Sequence, residues 1–213
     1  MSKITIKCSS CHEPHGIEVY NSVNVGQDPD MKEKVRSGAL FLWECPHCGR
    51  PNLALYPFLY HDPDRKLMIW LLPAGSVSDA QIKAVSAQLD ALEGYTFRRV
   101  ADVGSLIEKI SIFDADLDDR IVEMAKYVTA MELAGKAPDK SSEILDAPFK
   151  FFKMDGADNE ITLTYPSGGQ MQGVNIGFNV YEDCRGIIQR NKALTEVTGF
   201  ATVDRAWVNT IIR

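Results

Sequence analysis

Long apolar runs are missing from this 213-residue chain. Nothing in it approaches the ~18 consecutive apolar residues of a membrane-spanning helix. The longest apolar stretch, "LMIWLLPAG" over 67–75, is short, holds Pro73 and reads as a buried strand. The first sixteen residues lack the apolar centre of a secretory signal, so the expected compartment is the cytoplasm, where thiols stay reduced. Positive charge is also scarce. The net charge is -6, and no global basic field invites nucleic acid. The acidic excess lies beyond residue 75, since residues 1–75 carry as many Lys and Arg as Asp and Glu. Internal repeats and low-complexity tracts are absent, as are Ser-His-Asp, HExxH and kinase signatures.

What is present suggests an α+β chain. "KITIKC" (3–8) alternates and is β-branched, and "IEVYNSVNV" (17–25) is a second strand. "DPDMKEKVRSG" (28–38) reads as a short helix with Asp28 or Asp30 as its cap and Gly38 at its end. "ALFLWEC" (39–45), "NLALYPFLY" (52–60) and "LMIWLLP" (67–73) complete a β-rich unit, with turn chemistry at 61–66. From Ser76 the period becomes helical. Ile82, Val85, Leu89 and Leu92 share a face, Ser78 is the expected N-cap and Gly94 the stop. "YTFRRVAD" (95–102) returns as a strand. Two helices follow, one beginning at Ser105 and one over 116–133 with Ile121, Met124, Ala125, Val128 and Met131 inward. "KAPDKSSEILDAP" (136–148) reads as a linker. Three strands over 149–181 and two helices, 183–197 and 202–213, finish the chain. The expected division is therefore 1–135 (a β unit 1–75 plus a helical part 76–135), the linker 136–148, and a small α+β region 149–213.

Cysteine is sparse, five residues in all, yet four fall in two CxxC pairs. "CSSCHEPHG" alone allows a redox pair, a haem attachment site ending in His12, or half of a zinc site. "ECPHCGRPN" supplies the second half. Cys8, Cys11, Cys45 and Cys48 make a set of four soft ligands, which suits a structural Zn²⁺ in a tetrahedron. Gly49 stands where such a turn needs positive φ. The 33 residues between Cys11 and Cys45 exceed the ~15–20 of the common ribbon spacing, and the helix at 28–38 fills part of that gap. Haem attachment would leave Cys45 and Cys48 unexplained. Redox chemistry usually places the pair at a helix start, whereas this one leads into a strand. A thiol switch released from zinc stays open.

The other reactive residues read more plainly. The histidines (His12, His15, His47, His61) all lie in or near the N-terminal unit, and His12 and His47 adjoin ligand cysteines without being needed as ligands. Cys184 reads as a small core residue rather than a nucleophile. "FDADLDD" (113–119) lacks the Gly and distal Glu of a calcium loop and suits a helix N-terminus. "YPSGGQMQGVNIGF" (165–178) suits a hairpin turn and a bulged strand rather than a phosphate loop. The aromatics Phe41, Trp43, Tyr56, Phe58, Tyr60 and Trp70 read as core packing.

The order "CSSC…SVNVGQDPDMKEKVRSGALFLWECPHCG…YPFLYHDPDRKLMIWLLP" resembles the CpXC domain family, with similarity extending to "LDDRIVEMAKY" (117–127). Cys45-Pro46-His47-Cys48 matches its motif, and Ser9 stands where the family has Pro. The resemblance implies a bacterial, cytoplasmic, zinc-ribbon-like protein in a family of unknown activity. The expectation is thus a protein with a structural four-cysteine zinc site, a zinc-ribbon-like N-terminal unit, a helical middle, and a C-terminal antiparallel sheet plus helices. Its expected partners are proteins, with no membrane. One alternative is nucleic-acid binding through Lys3, Lys7, Arg50 and nearby aromatics. Another is an enzyme with a site between the N- and C-terminal parts, drawing on polar groups such as His61, Asp62 and Arg98.

Overall fold

The computed structural model describes residues 1–89, 92–191, 194, 197–210 and 212. The fold is α+β. By internal contacts the chain forms two compact units, one of Met1–Ile107 with Thr198–Ala201 and one of Glu108–Val197 with Thr202–Arg213.

The first unit opens with a two-stranded antiparallel hairpin of β1 (Ser2–Lys7) and β2 (Pro14–Val19). The alternation in the sequence sets its faces, with Ile4 opposite Ile17 and Ile6 opposite His15 on the inner one. The strand expected over 17–25 breaks at Tyr20. Its second part, β3 (Ser22–Asn24), leaves the hairpin and pairs parallel with β6 (Phe58–Asp62). Between them lies α1 (Asp30–Arg36), whose N-cap is Pro29 with no side-chain cap bond, so neither Asp28 nor Asp30 caps it. Gly38 ends the helix with φ 75°. Ala39–Phe41 is a 3-10 turn rather than strand, and β4 (Leu42–Glu44) follows. β4 pairs with β5 (Pro51–Leu53) in a second isolated hairpin.

The strand expected over 52–60 is therefore two strands in different sheets, split around Pro57. A proline there cannot donate to a continuous ladder. β6 pairs antiparallel with β7 (Leu67–Leu71), and β7 pairs parallel with β8 (Thr96–Val100). The crossover is α2 (Asp79–Leu89). Ser78 and Gln81 form a capping box at its start: the Gln81 N–H donates to Ser78 Oγ, and Gln81 Oε1 accepts from the Ser78 N–H. Residues 90 and 91 of the helix expected over 76–94 lie outside the described residues, and Gly94 has φ 77°. One face of the four-stranded sheet packs Met68, Trp70 and Phe97 against Ile82, Val85 and Phe200. The aromatic core reading holds for Phe41, Tyr56, Phe58 and Tyr60, all buried, with Phe41 edge-on to Phe58 at 5.2 Å.

α3 (Val103–Asp114) begins two residues before Ser105, because Asp102 caps it by accepting from the Ser105 N–H at 2.8 Å. α4 (Asp119–Lys136) is capped by Asp118, which accepts from the Arg120 N–H. Ile121, Met124 and Ala125 face the core as expected, but Met131 is exposed, and Ala130 and Ala134 take over the stripe. The segment 136–148 is folded, with a 3-10 turn at Pro138–Lys140 and α5 (Ser141–Asp146) burying Ile144. β9 (Lys150–Asp155), β10 (Glu160–Ser167) and β11 (Gln170–Gly177) form an antiparallel meander. Gly168 and Gly169, both at positive φ, make the two-residue turn between β10 and β11. β11 itself is regular. The irregularity falls in the β9–β10 pairing, so no bulge explains the glycines of β11. α6 (Phe178–Arg190) starts five residues earlier than expected, and α7 (Arg205–Asn209) is capped by Asp204. Residues 192, 193, 195, 196, 211 and 213 of the final expected helices lie outside the described residues.

The second unit also buries charge. Asp119, Lys109, Glu123, Lys126 and Glu108 alternate in sign along a chain of ion pairs of 2.8–3.3 Å, and half-exposed Lys150 ends it on Glu108 at 2.9 Å. Glu108 also accepts from the Phe151 N–H at 2.7 Å, tying α3 to β9. Burial alone would raise the Glu108 carboxyl. Lys126, Lys150 and the Phe151 N–H outweigh it and hold the group below its usual range. A depressed carboxyl stabilises fully above its ordinary 4.5 and loses that contribution as pH falls through the folded value. Lys126→Met takes from buried Glu108 and Glu123 one of the two lysines that each has, and is expected to cost about 3 kcal/mol in urea unfolding of this unit and to raise the pH at which acid unfolds it. Lys136→Met on the exposed Lys136–Glu132 pair should cost less than about 0.5 kcal/mol.

Candidate metal centre

The two isolated hairpins carry the two CxxC pairs at their tips. The sulfurs of Cys8, Cys11, Cys45 and Cys48 all lie within 4.8 Å of one another. Cys8 Sγ is 3.7 Å from Cys48 Sγ, and Cys11 Sγ is 3.7 Å from Cys45 Sγ. These distances are far beyond a disulfide, and the thiols are free. Four thiolates about 2.3 Å from a shared metal stand about 3.8 Å apart in a regular tetrahedron. The four cysteines could therefore hold a metal ion. Cys8 and Cys45 are buried, while Cys11 and Cys48 keep contact with solvent.

The two turns are built alike. The Cys8 N–H donates to the Glu13 carbonyl and the Cys45 N–H to the Arg50 carbonyl, both at 3.0 Å. The His12 N–H closes onto the Cys8 carbonyl at 3.0 Å, and the Gly49 N–H onto the Cys45 carbonyl at 2.8 Å. Gly49 has φ 68°, as its place after the second cysteine predicts, and His12 takes the same role at φ 63° despite its side chain. Backbone N–H groups turn toward sulfur. Those of Cys11 and Ser10 pull the Cys8 thiol down to about 5. The Glu13 N–H pulls Cys11 down, but burial and the three neighbouring sulfurs push it up to about 12. The Arg50 N–H likewise pulls Cys48 down, and burial with the Cys8 and Cys45 sulfurs outweighs it, leaving that thiol raised. Four crowded thiols cannot all ionise without a cation to neutralise them.

Asn52, which the motifs do not single out, and His15, one of the four histidines weighed as a substitute ligand, join the halves. Asn52 is buried on β5. Its Oδ1 accepts from both the N–H and the hydroxyl of Ser9 at 2.8 Å, while its Nδ2 donates to the Arg50 carbonyl and reaches Cys8 Sγ at 3.5 Å. A proline at position 9, as at 46 in the other turn, would have no N–H to give Asn52. His15, rather than His12 or His47, approaches the sulfurs, with Nε2 3.3 Å from Cys45 Sγ and its ring 5.9 Å from Trp43. The strand register explains it, since His15 falls on the inner face beside Ile6. His12 and His47 are exposed.

The remaining candidates separate. His61 and Asp62 are neighbours on β6 and point to opposite faces. His61 Nε2 meets Tyr95 Oη at 3.2 Å, while buried Asp62 accepts from Lys32 at 3.1 Å and lies near Tyr60 Oη. Arg98 is buried and donates to the Phe97 carbonyl. Lys3, Lys7 and Arg50 are exposed. Cys184 is buried in the core of the second unit, its thiol pushed up to about 11 by burial, as a core residue should be. In "FDADLDD", Asp118 caps α4 and Asp119 pairs with Lys109. Among the described residues no helix is long and apolar enough to cross a membrane.

The family model for CpXC protein matches residues 6–126, more than half the chain and inclusive of both cysteine pairs. No curated protein and no solved structure matches the chain.

Asn52→Ala removes the link from Ser9 to Arg50 and leaves the Ser9 N–H unpaired. It should weaken metal retention about 10–100-fold in a chelator competition. His12→Gly removes a side chain from a left-handed position and should raise the unfolding free energy of the first unit by about 0.5–1 kcal/mol.

Proposed function

The chain belongs to the CpXC family, and we propose that its four cysteines hold one structural Zn²⁺, making the N-terminal unit a zinc-ribbon-like module that binds other proteins. The observation that carries the metal is the spacing of the sulfurs, 3.7 Å in each cross-hairpin pair and within 4.8 Å overall. A tetrahedral set of four thiolates selects zinc or iron, and zinc needs no redox role to stay bound. Four protein ligands close the coordination sphere, so the metal's task is to hold structure rather than to activate water.

A protein partner is favoured by the outer face of the second hairpin. Leu42 and Leu53 sit directly opposite each other there, 56% and 54% exposed. Leu55 continues the apolar surface at 43%. Such side chains next to a rigid metal turn offer a small dry contact, and the near-neutral charge of residues 1–75 lets partners of either sign approach.

The purified full chain should contain one zinc per chain by mass spectrometry of the native protein. Cys45→Ser should lose the metal and with it the β1–β2 and β4–β5 hairpins. Zinc absent from protein prepared in zinc-containing medium would overturn the metal assignment. For the binding role, Leu42→Lys should keep the zinc and lose the proteins captured by the wild type. An unchanged set of captured proteins would remove the outer hairpin face as the binding surface.

A further inference from the structure

The β11 strand of the second unit is an open sheet edge, and we propose that it pairs with the same strand of a second copy of this chain, antiparallel and centred on Gly173. The inference is independent of the metal and of the first unit.

β11 stands at one end of the order β11-β10-β9. The Gly168–Gly169 turn is closed by Ser167 opposite Gln170, so Gln170, Gln172, Val174 and Ile176 spend their backbone groups on β10. Met171, Gly173 and Asn175 then turn their N–H and C=O groups to the open side. Among the described residues no backbone group meets them there.

The two ends of this sheet are treated differently. β9 carries Lys150, Lys153 and Asp155, has an irregular register near Phe152, and has its Phe151 N–H taken by Glu108. Charge, irregularity and cover are the usual protections of an edge. β11, "QMQGVNIG", has none of the first two: no charge, no proline, and regular pairing over all eight residues. Gly173 is unexplained within the chain. Its φ is not positive, and nothing lies within 4 Å of where a Cβ would stand. A glycine inside a strand often marks a bulge, a tight bend or the close approach of another backbone, and the pairing of β11 with β10 is regular throughout.

A second β11 fits that place by symmetry. An antiparallel pair of identical strands is self-complementary, as a two-fold interface requires. With the axis at Gly173, the two glycines face each other, and Met171 of each copy faces Asn175 of the other. Met171, 64% exposed, then reaches diagonally over the glycine pair and fills the space beside it. Asn175 is held back over its own sheet by Thr162 and Glu160, which keeps the edge clear. Each copy carries net charge -6, so an uncharged strand is where two copies can meet without like charges opposed. The two three-stranded sheets would join as one of six.

Sedimentation equilibrium of the zinc-loaded full chain should give twice the 23.7 kDa chain mass. Hydrogen exchange should be slow at the amides of Met171, Gly173 and Asn175. Gly173→Pro removes an edge N–H that β10 does not use, and Met171→Lys puts on the edge the charge that ordinarily keeps such strands apart. Each should halve the mass and restore fast exchange at the remaining edge amides, with circular dichroism unchanged. Should Gly173→Pro fail to fold, Met171→Lys carries the test alone. A monomeric wild type, including one that takes up an added extended peptide along β11 instead, would overturn the proposal. So would a dimer that survives both substitutions or fast exchange at the three amides.

Discussion

Two-stranded hairpins do not hold themselves in water, and the first unit begins with two of them. β1–β2 buries little beyond Val19, with Ile4, Ile6 and Ile17 only half-covered, and β4–β5 has three residues in each strand. What joins them is the meeting of four sulfurs at their tips, braced by Asn52 and backed by His15. The thiols are set against one another there. Cys8 is drawn toward thiolate by backbone N–H groups, while Cys11 and Cys48 are pushed toward the neutral form. A divalent cation bound there would turn that conflict into cohesion, because thiolates that repel one another would then share an attraction.

The rest of the chain is held differently. The four-stranded sheet of the first unit has an aromatic core of its own, with Phe41, Phe58 and Tyr60 fully covered. The second unit packs α4 and α6 on the meander through Ile121, Met124, Leu163, Tyr181 and Ile188. In its buried ion chain each carboxylate has a lysine from a defined neighbour, so a slip of any element would leave a buried charge unpaired. Two hairpins that meet at a four-cysteine junction thus stand in the same chain as elements with apolar cores of their own.

Local signals in the sequence carried much of this. Period-two alternation placed β1, and helical spacing with Ser78 placed α2. Paired CxxC spacing brought Cys8, Cys11, Cys45 and Cys48 together without any knowledge of the path between them. What stayed hidden depends on distant partners. Asn52 contacts Ser9 across 43 positions, and nothing near either residue announces it. Sequence could not say which of the four histidines approaches the sulfurs: His12 adjoins Cys11 but is exposed, and His15 is brought in by the β1–β2 register. The stretch 52–60 looked continuous because strand character persists on both sides of Pro57, while the two halves serve different sheets. Glu123 and Lys126, three apart on a helix, have the pattern of a solvated face and are buried instead.

The proposed dependence of the hairpins on metal can be read one amide at a time. Hydrogen exchange on the full chain, before and after a strong chelator, separates the parts. Chelation is expected to release the amides of residues 2–19 and 42–53 to fast exchange, while those of β6, β7 and α4 stay protected. Retention of slow exchange in both hairpins after complete metal removal would contradict a metal-held N-terminal module.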